Sequence, residues 1–446
     1  MFEARTILRH AGTVLIGQLA VIAFGIADTI IAGRYDASAL AALSVGSSIY
    51  ISIYVALNGL MQALLPVWSE LRGAGQKVAV GQSVRQAFYL CLGVICLGTI
   101  ALLLPDPWLN ATQVPQELQA DVRAYLQVLA AALGPSLLFR MYATLNQSLG
   151  MPMRVTALQI AALGIKIPLS IWFTLGGLGL DPQGVVGCAW ATLVVNTWLM
   201  LMGAYHLRHH PIYADYKIWH SLEPLHWPTL RQFLRLGVPS ALSLMVEVTA
   251  FTMMALFISR QGVVAAASHQ IASSLASLMY MVPLALGIAS SARVGFWIGA
   301  EHPRNAEKAA RTGLKLCMGL AVVCSGLLFL NREGLAQLFS ANPQVAIAAA
   351  SVLTWVALYH LVDAVQGVCA FILRCYRMTL LPLAIYSVML WGVGLGGAYV
   401  WSYKGLADWP ARPEVSTFWA GSTFALCFVA VSLASLVLWA AKQRRL

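Results

Sequence analysis

The chain has 446 residues, 59% of them hydrophobic and only 10% charged, with a formal net charge of +11. A soluble domain carries roughly 25% charged residues, so this composition excludes an ordinary water-soluble fold and points to lipid as the solvent. The apolar runs are long and unbroken rather than alternating over about ten residues, which excludes a β-barrel and leaves a bundle of α-helices, the other structure that satisfies its own backbone within a bilayer.

The first half holds six apolar spans, predicted near 11–33, 43–68, 86–105, 123–148, 154–176 and 185–207. Each is long enough to cross about 30 Å of hydrocarbon at 1.5 Å per residue. The first is too long for the apolar region of a secretory signal and has no small-residue cleavage site, so it reads as a span. It carries Asp28. The fourth carries Arg140 about two turns from its end, close enough to the interface for its side chain to snorkel out. The fifth carries Lys166 near its middle.

A hydrophilic stretch from Arg208 to Thr229 divides the chain nearly in half. Six more spans follow, near 231–258, 263–292, 313–331, 345–373, 380–402 and 416–440. The expected organisation is an N-terminal six-helix lobe (1–207), a cytoplasmic inter-lobe linker (208–230) and a C-terminal six-helix lobe (231–446). A repeat crosses the linker. The segment Arg34 to Ser48 aligns without gaps on Arg260 to Ser274, matching Arg34, Ala39, Ala41, Ser47 and Ser48 with Arg260, Ala265, Ala267, Ser273 and Ser274. The same offset of 226 pairs Gly73-Ala74 with Gly299-Ala300. Six is an even number of crossings, so the halves share an orientation, a form of internal repeat found in transporters.

Basic residues sort by side. Arg5, Arg9, Arg72, Lys77, Arg85, Arg154, Arg208, Lys217, Arg231, Arg304, Lys308, Arg311, Lys315, Arg374, Arg377 and the C-terminal Lys442, Arg444 and Arg445 outnumber Arg34, Arg123, Arg260, Arg332, Lys404 and Arg412 on the opposite side about threefold, which puts both termini in the cytoplasm by the positive-inside rule. The basic charge is thereby a topology signal and not a nucleic-acid footprint. The eight cysteines lie in or beside spans without a CxxC spacing, so neither a disulfide framework nor a zinc site is indicated. Trp68, Trp108, Trp401 and Trp419 near span ends fit interfacial anchoring. No nucleotide-binding loop, nucleophile elbow or HExxH appears, so the reading is a transporter rather than an enzyme, without a cofactor and driven by an ion gradient.

Of the seventeen acids, three fall inside spans: Asp28, Glu247 in the seventh and Asp363 in the tenth. An acid at a helix centre costs about 2.5–3.5 kcal/mol on insertion scales and therefore faces a cavity or a partner. Tyr359 and Asp363 are four apart, on one helical face. With Glu247 they could hold a cation, either Na+ through oxygen ligands at Glu247 and Asp363 or a proton shared between the acids. His360 lies on another face and reads as a packed or interfacial histidine, and His269 as an interfacial one.

Taken together these residues resemble the multidrug and toxic compound extrusion (MATE) family in its NorM-like bacterial branch, over nearly the whole chain. The carriers are Gly17-Gln18, Ala27-Asp28-Thr29, Ala32-Gly33-Arg34, Pro66 and Gly73-Ala74-Gly75 in the first half. The second half adds Gly237-Val-Pro239, Glu247, His269-Gln-Ile271, Arg293-Val-Gly295, Tyr359, Asp363 and Leu373-Arg374. The resemblance implies twelve helices in two repeated lobes forming a V around a central cavity. It also implies export of small organic, lipophilic cationic compounds in exchange for Na+ or H+ by alternating access, from a bacterial inner membrane. It assigns Glu247, Asp363 and Tyr359 to a C-lobe cation site and Asp28, with polar residues of the fifth span, to an N-lobe site. Lipids are the only other expected partners, nucleic acid is excluded, and a monomer is the default.

One departure stands out. Relatives commonly show Asn-x-Pro-x-Asn on the fifth span, and this chain reads Lys166-Ile-Pro-Leu-Ser170. On a straight-helix count Asp28 lies about 7 Å nearer the outer surface than Lys166, within reach of a lysine side chain. If the two pair, Asp28 is held ionised and the coupling role shifts to the C-lobe. An exchangeable Lys166, displaced by a cationic substrate, is the sharper alternative. Two other functions compete with export of drugs: a flippase for a lipid-linked or amphiphilic precursor, and a polytopic membrane enzyme, for which no clustered catalytic set is found.

Overall fold

The computed structural model describes the chain except residues 1, 112–114, 178, 341, 406–409 and 444–446, together with the side chains of 108, 110 and 111. Among the described residues twelve helices are long and apolar enough to cross a membrane: Phe2–Tyr35, Ala37–Gly73, Lys77–Leu103, Gln116–Ser148, Pro152–Leu175, Val185–His209, Trp227–Ser259, Val263–Gly299, Pro303–Leu330, Pro343–Cys375, Leu380–Tyr403 and Val415–Gln443. They are the twelve spans of the sequence reading, extended at their ends by polar turns. The chain is a multi-pass, all-α membrane protein.

Local chemistry sets where these helices start and stop. Asp36 separates the first two, its Oδ1 accepting from the Ala37 amide at 2.7 Å. Asn342 caps the tenth in the same way through the Gln344 amide, 2.9 Å, and Pro343 occupies the first turn, where its missing N–H is not needed. Gly150, at φ +73°, turns the chain between the fourth and fifth helices with the Arg72 guanidinium packed where a Cβ would stand. Pro135, Pro168, Pro239 and Pro283 sit inside membrane helices, where neighbouring helices can take over the freed carbonyls.

The repeat extends to the helix boundaries. The second helix begins at Ala37 and ends at Gly73, the eighth begins at Val263 and ends at Gly299, and both pairs are 226 positions apart. The third and ninth begin at Lys77 and Pro303, again with that offset.

Contacts divide the chain into two compact units, residues 16–241 and residues 1–15 with 242–446. The division runs inside the first and seventh helices. In the second of these units the N-terminal turn is tied down by Glu3, which accepts from Arg293 Nε at 3.0 Å, Arg293 Nη2 at 2.5 Å and Trp297 Nε1 at 3.0 Å.

In the unit of residues 16–241, the hydrophilic segment after the sixth helix is strapped onto the helix ends. Tyr213 donates to Asn146 Oδ1 at 2.5 Å, Arg85 pairs with Glu223 at 2.5 Å and donates to the Lys217 carbonyl, and Gln86 bonds Pro224 and His226. Gly81 leaves room for this strap, since a Cβ there would stand 1.8 Å from the Tyr216 carbonyl oxygen. A cavity of about 530 Å³ lies beneath it, with Phe88, Met141, Leu207 and Trp219 among its walls.

Two tryptophans depart from the expected interfacial role. Trp68 and Trp419 are fully buried. Trp68 follows the helix break at Ala63–Leu64 and donates to Ser83 Oγ at 3.0 Å, and Trp419 packs against Tyr359, Phe251 and His269. His269 is itself buried in that aromatic cluster. The Trp108 side chain lies outside the described residues. All eight cysteines are free.

Candidate functional site

Among the described residues, each unit builds a cluster around buried carboxylates inside its apolar helices. In residues 16–241 the first, fifth and sixth helices converge on Asp28. Lys166 Nζ lies 2.9 Å from Asp28 Oδ2, and Ser170, one turn further along the same face, donates to Asp28 Oδ1 at 2.8 Å. The ammonium also donates to the Cys188 carbonyl at 3.0 Å and Thr192 Oγ1 at 2.7 Å. All three of its protons therefore have acceptors. Lys166 is 1% exposed and Asp28 7% exposed, so this is a buried ion pair with its hydrogen bonds completed on both sides. The sequence brought Asp28, Lys166 and Ser170 into one hypothesis, and the structure brings them into one cluster. Cys188 and Thr192 were not foreseen, because nothing in the sixth span's own pattern marks them.

The second cluster lies in the unit of residues 242–446 and centres on the tenth helix. Gln366 Nε2 donates to Asp363 Oδ1 at 2.9 Å and reaches Glu247 Oε1 of the seventh helix at 3.4 Å, so one amide bridges the two acids. Tyr386 of the eleventh helix donates to Gln366 Oε1. Asp363 is 4% exposed, and Glu247 is half-buried. Tyr280, Tyr359 and Tyr386 stand within electrostatic reach of both carboxylates, and Arg374, stacked on Phe371 at 4.4 Å, within reach of Glu247. Tyr359 is held by rings, with its centroid 5.3 Å from that of Trp419.

Gln366 was legible in principle, since it is three residues from Asp363 and shares its helical face. Tyr280 and Tyr386 come from other helices and carry no local signal. Tyr386 ends the regular part of its helix: residues Ser387–Gly397 continue as a π-helical stretch containing Gly392, Gly394, Gly396 and Gly397. Such stretches are frequent at functional sites. Among the described residues no group of three or more His, Cys, Asp or Glu side chains is placed to hold a metal ion. The carboxylate pair with its amide and phenols is instead an arrangement of hard oxygen donors, suited to a proton or an alkali cation.

Arg140 corrects an expectation. Its side chain does not snorkel out but is 7% exposed, facing the second helix, where Tyr54 is within electrostatic reach. The reason is its helical face: Leu138, Met141 and Tyr142 take the side toward the 530 Å³ cavity, and position 140 falls opposite.

Twelve apolar helices in two units related by an internal repeat, each unit with a buried ionisable cluster, define a polytopic transporter-like protein. The MatE family model matches residues 14–172 and 239–400. The "Probable multidrug resistance protein NorM" of Aromatoleum aromaticum is 36% identical over 96% of this chain and 92% of its own length. The "Multidrug resistance protein MdtK" of Yersinia pseudotuberculosis is 32% identical over 99% of this chain and 96% of its own. Among solved structures, the eukaryotic MATE transporter AtDTX14 superposes with a TM-score of 0.88 at 19% identity, covering 99% of this chain and 98% of that one. The Vibrio cholerae MATE transporter VcmN in its bent form gives 0.87 at 16% identity, covering 99% and 98%. The chain belongs to the MatE family, and the expected family resemblance and all-α fold of twelve membrane-spanning helices are established.

Proposed function

We propose that this protein is a secondary active antiporter of the bacterial inner membrane, with both termini cytoplasmic, that exports small organic, lipophilic cationic compounds in exchange for Na+ or H+ by alternating access. The lobes 1–207 and 231–446 are the two bodies of that cycle, and 208–230 links them. The names of the relatives, multidrug resistance proteins over the full length, support the substrate class. The observation that carries the ion coupling is the Glu247–Gln366–Asp363 bridge, because two carboxylates sharing one amide inside a membrane helix bundle are stable only while a cation or proton offsets their repulsion. Loading the pair with Na+ or H+ and unloading it on the other side is the coupling step. Tyr386 and Gln366 hold the geometry, and Tyr359 lines the site.

Asp28 takes a different part. With Lys166 on one oxygen and Ser170 on the other it is a fixed ion pair, and coupling through it is disfavoured. Lys166 is accordingly a standing counter-ion rather than an exchangeable one.

The test is efflux of a fluorescent lipophilic cation from purified protein in liposomes, with Na+ and pH gradients imposed separately, for the wild type and Asp363→Asn. Gradient-driven efflux lost in the variant supports the coupling site, and the responding gradient names the ion. No efflux under either gradient from folded protein would overturn the reading in favour of an amphiphile flippase.

A further inference from the structure

Of the buried charges described in the unit of residues 16–241, the one left without a counter-charge is positive. Asp28 is neutralised by Lys166. Arg140 is not: among the described residues no carboxylate pairs with it, and its Nε and Nη2, both buried, find no acceptor. A guanidinium holds its charge in all protein environments and has five donors in a planar fork. Burying one with two idle donor nitrogens inside an apolar helix is costly, and intramembrane charges that bear this cost are functional by default.

Its surroundings are built for a polar guest. Arg140 lies on one face of the fourth helix with Ser136 and Thr144, at i−4 and i+4. Across from it the second helix presents Tyr50, Tyr54 and Asn58 at the same spacing. Ser136 Oγ donates to the Leu133 carbonyl at 2.8 Å, the Tyr50 and Tyr54 rings stack with centroids 5.8 Å apart, and Tyr54 is the group within electrostatic reach of the guanidinium. Thr144 Oγ1 and Asn58 Oδ1 are likewise buried without a partner. Both tyrosines are half-buried, so the seam opens on the side of the second helix. Stacked phenols beside a free fork offer a planar aromatic compound a wall and its acidic group an anchor.

We propose that Arg140 is a binding residue for an anionic group, a carboxylate or an equivalent oxyanion, on the transported compound. Among the organic cations exported, those that also carry an acidic group on an aromatic ring are then preferred. This rests on the export reading above and specifies its substrate class. A charge-assisted, two-pronged hydrogen bond is worth about tenfold or more in affinity.

The experiment is equilibrium binding, by fluorescence anisotropy, of a rhodamine bearing a free carboxylate and of its methyl ester to purified full-length protein. The wild type is expected to prefer the carboxylate by about tenfold. In Arg140→Met the ratio should fall to near one, and Arg140→Lys, which keeps the charge without the fork, should lie between. Equal affinity of the wild type for the two dyes, binding of neither, or an unchanged ratio in Arg140→Met would each overturn the proposal. A merely structural arginine would weaken both dyes together and leave the ratio intact. If Arg140→Met does not fold, the wild-type ratio and Arg140→Lys still decide. Failure of the export reading shows separately, as a preserved binding preference without gradient-driven transport of either dye.

Discussion

Lys166→Met removes one member of the buried pair while conserving most of its volume. Asp28 then keeps a single neutral donor, Ser170 at 2.8 Å, in a site where it is 7% exposed. Breaking a buried pair in this way costs about 3–5 kcal/mol. At about 2–4 °C per kcal/mol for a domain of this size, the apparent Tm should fall by about 6–20 °C. Asp28→Asn leaves Lys166 better served, because the Cys188 carbonyl and Thr192 hydroxyl remain as acceptors. Its loss should be smaller by at least about 1 kcal/mol. The double variant leaves no charge stranded and should recover about 2 kcal/mol relative to the sum of the singles. Thermal unfolding of the four proteins in one detergent, followed by tryptophan fluorescence, measures the cycle. Equal losses in the two singles with an additive double would refute the paired geometry and the assignment of Lys166 as a standing counter-ion.

Gln366→Leu removes the amide shared by Glu247 and Asp363 and the acceptor of Tyr386, so gradient-driven efflux in liposomes should fall by about tenfold or more. Unchanged efflux would reduce that amide to packing. Gly81→Ala places a methyl 1.8 Å from the Tyr216 carbonyl and must lift the strap, at a cost of about 1–3 kcal/mol, seen as faster proteolysis within 211–226. A cleavage rate equal to the wild type would mean the strap is not seated as described. The hydrogen bond and charge of Lys77 hold Asp215 below its ordinary 3.8, so this clip is present above that value and lost only as pH falls through the lowered one. Hydrogen exchange of the 211–216 turn should therefore be unaffected by Asp215 titration around neutral pH, and a mid-range transition there that vanishes in Asp215→Asn would contradict it.

The twelve spans, their division six and six and the 226-residue repeat were all readable from the chain, because crossing hydrocarbon requires about twenty apolar residues and leaves a mark in any window of that length. The three intramembrane acids and Lys166 were readable for the converse reason, since charge within such a window is costly and conspicuous. Even the Asp28–Lys166 pairing followed from opposite charges at similar depth. Three-dimensional packing alone decided the rest. Gln366, Tyr386, Thr192 and Cys188 are polar residues of a kind every helix tolerates, and they became site residues only when neighbouring helices turned them toward the same acids. Trp68 and Trp419, identical by pattern to interfacial tryptophans, are buried because a helix break and an aromatic cluster draw them inward. Arg140 could have reached water by its length, and it lies in a seam because its face of the helix meets the phenols of the second span. Depth in the bilayer is a one-dimensional quantity that hydropathy records residue by residue. Rotation about each helix axis, and so which side chains meet, is set by neighbours far away in the chain.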